Sequence, residues 1–154
     1  MKKYDKYKNK YTNDLQDITK IIVFGILLSY ILNGIIFIIK YFLNIEINDP
    51  NFNIFYIINI AIIGPILEEY VFRGIVFNEL SQFNDEKKAC FISVILFSLF
   101  HIGGILNIIY AFIMGFILNN IYTNYKNINE NIIFHISINI TSSLFFPLIL
   151  NYIL

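Results

Sequence analysis

Charged side chains are scarce in this 154-residue sequence, at 14% against 57% hydrophobic residues. A soluble domain carries about 25% charged residues. Tryptophan is absent, and there are only two histidines, three prolines and one cysteine. The single cysteine, Cys90, excludes an internal disulfide. The formal net charge is zero, so the overall charge gives no indication of nucleic-acid binding.

Long apolar runs separated by short polar stretches fill most of the chain. The length fits one domain, and the composition is typical of a polytopic membrane protein. We expect an all-α fold, a transmembrane helix bundle with about five spanning helices at residues 21–39, 53–77, 89–102, 107–122 and from 132 onward. The excess of Ile, Asn, Lys, Tyr and Phe suggests a bacterial source with an AT-rich genome.

Lysines define the expected organisation and orientation. Residues 1–20 are predicted as a basic cytoplasmic N-terminal arm, 21–40 as the first transmembrane anchor helix, and 53–154 as the functional core. The first apolar run is too long for a signal peptide and lacks a small-residue cleavage site. Residues 40–52 are predicted as a polar loop. The basic arm and the loops with Lys87 and Lys126 fall on one side, which predicts a multi-pass protein of the cell membrane, N-terminus cytoplasmic and C-terminus outside.

The second predicted helix carries three ionisable groups near its middle: Glu68, Glu69 and the single arginine, Arg73. Each costs roughly 2.5–3.5 kcal/mol at the centre of a membrane helix, so partner helices must solvate them. Glu69 and Arg73 are four residues apart, in the favourable order for an ion pair. Glu68 points about 100° away and is left as the candidate general base. Pro65 predicts a kink just before it.

Both histidines lie in apolar helices, each one turn from a second functional residue. Phe97 and His101 form one such pair, and His135 and Asn139 form the other. Lipid does not tolerate exposed polar groups at this depth, so these faces are expected to converge with the charged face of the second helix. A cavity open to the cytoplasm and ending near the midplane could hold them. A purely structural role for such a polar cluster is the alternative interpretation.

The three motifs, in this order on successive helices, resemble those of the CPBP family, the CAAX-protease and bacteriocin-processing intramembrane endopeptidases, also called the Abi or Rce1-like group. The motifs are Glu68-Glu69-x-x-x-Arg73, Phe97-x-x-x-His101 and His135-x-x-x-Asn139. The resemblance covers about residues 54–150 and makes 53–154 a CPBP-like intramembrane protease core. The implied enzyme is an endopeptidase that acts on a peptide or protein substrate at the lipid bilayer, with no nucleic-acid partner.

The resemblance also implies a role for each motif residue. Glu68 would act as general base on a water shared with His101. His135 and Asn139 would donate hydrogen bonds to the developing oxyanion. The supporting residues would be Glu69, Arg73 and Phe97, which fix the helix, the local field and the access of water.

Three alternatives stay open at this stage. Glu68, His101 and His135, with Asn139, could instead be ligands of a catalytic Zn²⁺, which would make the enzyme a metalloendopeptidase. A non-proteolytic bacteriocin self-immunity or membrane interaction protein could use the same fold, and it predicts that Glu68→Gln leaves the phenotype intact. A small proton-coupled carrier could use the same groups as a relay, but the sequence has no internal symmetry to support it.

Overall fold

The structure, a computed structural model, describes residues 2–45 and 53–153, with side chains at 15–45 and 53–149. These residues are almost entirely helical and include no strand, which confirms the all-α bundle. Their five helices are α1 (Lys2–Phe42), α2 (Ile54–Phe83), α3 (Glu86–Leu99), α4 (Ile105–Tyr125) and α5 (128–153). The predicted arm and first span form one helix, α1. Part of the predicted loop, with Glu46, Asp49 and Pro50, lies outside the described residues.

Four helices are long and apolar enough to cross a membrane, at Leu15–Phe42, Ile54–Phe83, Ile105–Tyr125 and Ile128–Ile149. The remaining helix, α3, has 14 residues. At 1.5 Å per residue it is about 21 Å long, shorter than the roughly 30 Å of a hydrocarbon core. The expected five spans therefore correspond to four full-length helices and one shorter helix.

Asparagine and aspartate side chains begin three of the helices. Each accepts a hydrogen bond from a backbone N–H two or three residues further on, which satisfies a donor without a helical partner. These residues are Asn53 at α2, Asp85 at α3 and Asn127 at α5. By contrast, α4 follows Gly104, whose φ of 114° favours glycine, and the residue after its last one, Lys126, adopts the left-handed conformation.

The irregularity predicted at Pro65 is a π-helical turn, Asn59–Ile63, inside α2. The Gly64 N–H donates to the Asn59 carbonyl, five residues back, and Pro65 has no N–H to donate. The Ile60 carbonyl therefore has neither of the donors that an α- or π-helix would provide. A backbone carbonyl inside a membrane-spanning helix needs a partner from elsewhere, because lipid offers none.

Two further π-helical stretches occur among the described helices. Thr141–Phe145 in α5 also ends two residues before a proline, Pro147. The third, Tyr70–Phe77, begins directly after Glu69 and contains Arg73. Because π-helical turns change which side chains share a face, they are frequent at functional sites. Here they change which side chains share a face in α2 and α5, the two helices that carry most of the predicted site.

The hydrophobic core receives a buried side chain from each helix: Ile21, Phe72, Phe97, Leu118 and Phe134. It places α2, α3 and α5 around the middle of α4, and α1 against the outer side of α5.

A stripe of small residues on α4 is the surface that packs on α3. Ala111 and Gly115 lie on this stripe, and Ala111 is buried. A Cβ at Gly115 would come within 3.2 Å of the side chains of Phe97 and Val94. Glycine at this position allows the close approach of the two helices and brings Phe97 next to the charged groups of α2.

Candidate active site

Glu69 and Arg73 form a fully buried ion pair, with Nη1 3.1 Å from Oε1. Arg73 also donates from Nε to Asn119 Oδ1 and from Nη2 to the Gly115 carbonyl, each at 3.1 Å. Its guanidinium carbon lies 4.7 Å from the centre of the Phe97 ring, in the geometry of a cation–π contact. All three nitrogens of the buried guanidinium therefore have acceptors, which a charge in this environment requires.

The Glu69 carboxylate joins α2 to α5. Oε1 accepts from Arg73 and lies 2.8 Å from His135 Nδ1, and Oε2 accepts from Asn131 Nδ2 at 3.0 Å. Because Glu69 already accepts from two other donors, its carboxylate acts as an acceptor and His135 Nδ1 carries the hydrogen. This bond fixes the orientation of the imidazole ring and presents Nε2 on its other side.

Glu68 points to that other side, towards both histidines. Its Oε2 atom lies 3.8 Å from His101 Nε2 and 3.7 Å from His135 Nε2. Among the described residues, this buried oxygen has no hydrogen-bond partner. The distances are too long for direct hydrogen bonds and suit a small molecule held between the groups. The side chains of Glu68 and His101 are each 33% exposed, so the position can be reached from outside the bundle.

His101 lies just beyond the end of α3, where the predicted helix would have included it. Its Nδ1 is 2.9 Å from the Phe97 carbonyl, and its ring centre is 4.6 Å from that of Phe97. A carbonyl can only accept, so Nδ1 carries the hydrogen. In the neutral ring, Nε2 then has a free lone pair that faces Glu68.

Asn139 makes its hydrogen bond to the irregular turn in α2. Its Nδ2 donates to the Ile60 carbonyl at 2.9 Å, the carbonyl left without regular donors by Pro65. The predicted oxyanion donor is thus also a partner for the backbone of α2. The second hydrogen of the Asn139 amide has no protein acceptor among the described residues.

The sequence did not identify Asn119 or Asn131 as members of this network, nor the Gly115 carbonyl as an acceptor for Arg73. Asn119 accepts from Arg73 and donates to the Cys90 carbonyl at 3.1 Å, and Asn131 also donates to the Leu118 carbonyl. Asn131 lies one turn before His135, so the same i,i+4 rule could have identified it. Asn119 carried only a weaker signal, a buried amide in an apolar helix.

Comparison with protein families gives one match. The model of the type II CAAX prenyl endopeptidase Rce1-like family matches residues 50–141, more than half of the chain. The chain belongs to this family. The Rce1-like match includes every predicted site residue from Glu68 to Asn139 and leaves out α1. It confirms the resemblance stated from the motifs, and with it a multi-pass membrane protein of a protease family. No curated protein and no solved structure matches the chain.

A metal site at the same place has mixed support. Glu68, His101 and His135 offer a carboxylate and two imidazoles, the ligand types of catalytic zinc sites. However, the part of the chain that the structure describes contains no group of three or more His, Cys, Asp or Glu side chains that could hold a metal ion. No step of the mechanism proposed below passes through a metal.

Proposed function

We propose that this Rce1-like protein is an intramembrane endopeptidase in which Glu68 activates a water for attack on a peptide bond. The observation that carries the proposal is the position of Glu68 Oε2, 3.8 and 3.7 Å from the Nε2 atoms of His101 and His135. A carboxylate oxygen without a protein partner and an imidazole lone pair face the same small volume. This arrangement suits a water that must be oriented and deprotonated.

In the attacking step, the water donates one hydrogen to Glu68 and directs the other at His101 Nε2. Transfer of the first proton to Glu68 leaves hydroxide, whose oxygen forms a bond to the scissile carbonyl carbon. The hydrogen bond from Nδ1 to the Phe97 carbonyl keeps the His101 lone pair directed at the water. Holding the reacting groups in this way removes part of the entropic barrier.

The negative charge then develops on the carbonyl oxygen. His135, when protonated, offers its Nε2–H to that oxygen, and Glu69 stabilises the imidazolium through Nδ1. The unused amide hydrogen of Asn139 is the second proposed donor. Donors fixed before the reaction stabilise an oxyanion well because they need little reorganisation.

Collapse of the tetrahedral intermediate breaks the C–N bond, and Glu68 returns its proton to the leaving amine. The products are a carboxylic acid, which ionises on release, and an amine, and no covalent enzyme intermediate forms. Glu69 and Arg73 act as the buried frame of the site, and Phe97 supports both the guanidinium and the His101 ring.

The proposed substrate is a peptide segment in or next to the bilayer. Large apolar side chains beside His101 are exposed, including Phe100 at 75% and Ile102 at 89%. They provide a surface for an apolar peptide or for a lipid group attached to one. Pheromone precursors, bacteriocin leaders and membrane-protein tails are all of this class. Prenylated CAAX proteins, the substrates named in the family's description, are of this class too. We propose that the site opens to the cytoplasm.

The test compares membrane-peptide profiles of cells that carry wild type or Glu68→Gln at equal expression. We expect cleavage products that are present only with wild type, because glutamine cannot accept the proton of the water. Glu79→Gln, an exposed acid on the same helix, is the matched control and should give the wild-type profile. Identical profiles for wild type and Glu68→Gln would contradict the protease proposal, and an unchanged immunity phenotype would favour the non-proteolytic alternative.

A further inference from the structure

The first helix lies outside the residues that match the family model, yet it packs closely against α5. A Cβ atom at Gly25 would overlap Ser137 Oγ and lie 3.2 Å from the Phe134 carbonyl. The rings of Phe24 and Phe134 stack with centres 5.4 Å apart. A side chain at residue 25 would require Ser137 to move and the two backbones to separate by a few tenths of an ångström, so glycine favours this close approach.

One and two turns further along α1, polar side chains continue the contact. Ser29 Oγ donates to the Ile138 carbonyl at 3.2 Å and lies 2.8 Å from Ser142 Oγ. Asn33 Nδ2 donates to Ser142 Oγ, also at 2.8 Å. Hydrogen bonds between membrane helices fix their relative rotation and register, since shifting one helix would leave polar groups unsatisfied in an apolar surrounding.

The residues of α5 that contact α1 alternate with those that build the active site. Phe134, Ser137 and Ile138 face α1, whereas His135 bonds Glu69 on α2. α5 is consequently fixed from two sides, and a displacement at the α1 side would move His135 relative to Glu68.

We propose that α1 is a positioning element of the active site, with Gly25 as its central positioning residue. The Gly25 contact sets the distance between α1 and α5, and the bonds of Ser29 and Asn33 set the rotation of α5. Together they hold His135 against Glu69 and Asn139 at the Ile60 carbonyl. The catalytic part of this inference rests on the proposed protease function.

The first experiment replaces Gly25 by leucine and uses Gly34→Leu as its matched control. Gly34 lies on the same helix, and a Cβ there would meet nothing within 4 Å. The measured quantities are kcat and KM for a peptide identified in the Glu68→Gln comparison. Because a displacement of about 1 Å at a catalytic group can cost about 100-fold, we expect a loss of that order in kcat with little change in KM for Gly25→Leu. Gly34→Leu should keep both constants.

A compensating pair keeps the test decisive if Gly25→Leu fails to fold. Gly25→Ala adds only the Cβ that would meet Ser137 Oγ, and Ser137→Ala removes that oxygen. We expect Gly25→Ala to lower kcat less than leucine does, and Gly25→Ala/Ser137→Ala to recover most of the loss. A general loss of stability unrelated to this contact would not be repaired by the second substitution.

A cross-link measures the helix contact independently of activity. In a Cys90→Ser background, Ser29→Cys/Ser142→Cys places two thiols where the hydroxyls are 2.8 Å apart, within reach of a disulfide. We expect this disulfide to form in the full chain, its yield to fall severalfold with Gly25→Leu, and its yield to be unchanged with Gly34→Leu.

The outcomes separate the two proposals. Full kcat in Gly25→Leu, with an active wild type, would overturn the positioning role alone. A wild type without cleavage, but with the expected cross-link pattern, would overturn the protease function and with it the catalytic part of this inference. If the disulfide does not form in the Cys90→Ser/Ser29→Cys/Ser142→Cys variant that keeps Gly25, the helix contact itself is contradicted.

Discussion

Two adjacent glutamates in this site have very different surroundings. Glu69 is fully buried and accepts from Arg73, His135 and Asn131. Glu68 is 33% exposed, and its Oε2 has no hydrogen-bond partner among the described side chains. One carboxylate is therefore part of the folded frame, whereas the other has an oxygen without a protein partner.

This difference predicts that substitution by glutamine lowers stability at Glu69 and abolishes cleavage at Glu68. Glu69→Gln removes one partner of a buried ion pair and leaves Arg73 without its counter-charge, so we expect a loss of about 3–5 kcal/mol in unfolding free energy. Glu68→Gln should change stability by less than about 1 kcal/mol while abolishing cleavage. Thermal unfolding of the purified variants in detergent, alongside the cleavage assay, measures both. Equal destabilisation by the two variants would contradict the division of roles.

At the scale of the helix, a proline in α2 and an amide in α5 form one structural unit. Pro65 and the π-helical turn before it leave the Ile60 carbonyl without a regular donor, and Asn139 supplies the missing hydrogen bond. The predicted oxyanion donor consequently has a second role that its i,i+4 spacing from His135 did not indicate.

A double substitution separates these two roles of Asn139. Asn139→Ala should cost about 1–3 kcal/mol in stability, because a carbonyl loses its donor. Pro65→Ala returns an N–H to α2, so Asn139→Ala/Pro65→Ala should recover much of that stability. If Asn139 also stabilises the oxyanion, kcat should stay about 100- to 1,000-fold low in the double variant. Recovery of both stability and kcat would mean that Asn139 acts only through the backbone of α2.

At the scale of the whole molecule, lysine positions predict how the bundle sits in the membrane. The Lys87 and Lys126 loops lie at the same end of the helices, joined by a 4.0 Å contact between Lys126 and Glu86. The positive-inside rule places this end in the cytoplasm. Reporter fusions should therefore locate the N-terminus inside and the C-terminus outside. The reverse assignment would place the basic loops outside and contradict the proposed cytoplasmic opening.

Metal removal tests the chemistry of the whole site. The proposed mechanism uses a carboxylate, two imidazoles and an amide, so cleavage should proceed at an unchanged rate after dialysis against a strong chelator. The measurement is the cleavage rate before and after chelation, with Zn²⁺ added back as the control. A loss of activity that Zn²⁺ restores would establish the zinc ligand set of Glu68, His101 and His135 instead.

Much of this architecture depends on local sequence patterns and could be predicted from the sequence alone. Apolar runs predict helices because each helix closes its own backbone hydrogen bonds in lipid. The Glu69–Arg73 pair follows from a spacing of four residues on one helix. The two histidines were identified because polar groups in such helices must face inward.

The partners of these groups depend on helix register, which only the tertiary structure decided. Asn119, Asn131 and Gly115 complete the Arg73–Glu69 network because the packing of α4 and α5 on α2 brings them level with the ion pair. Asn139 meets Ile60 because a π-helical turn shifts α2 by part of a turn, and Gly25 meets Ser137 because α1 packs on α5. Register arises from the packing of residues far apart in the chain, so no local pattern in the sequence contains it.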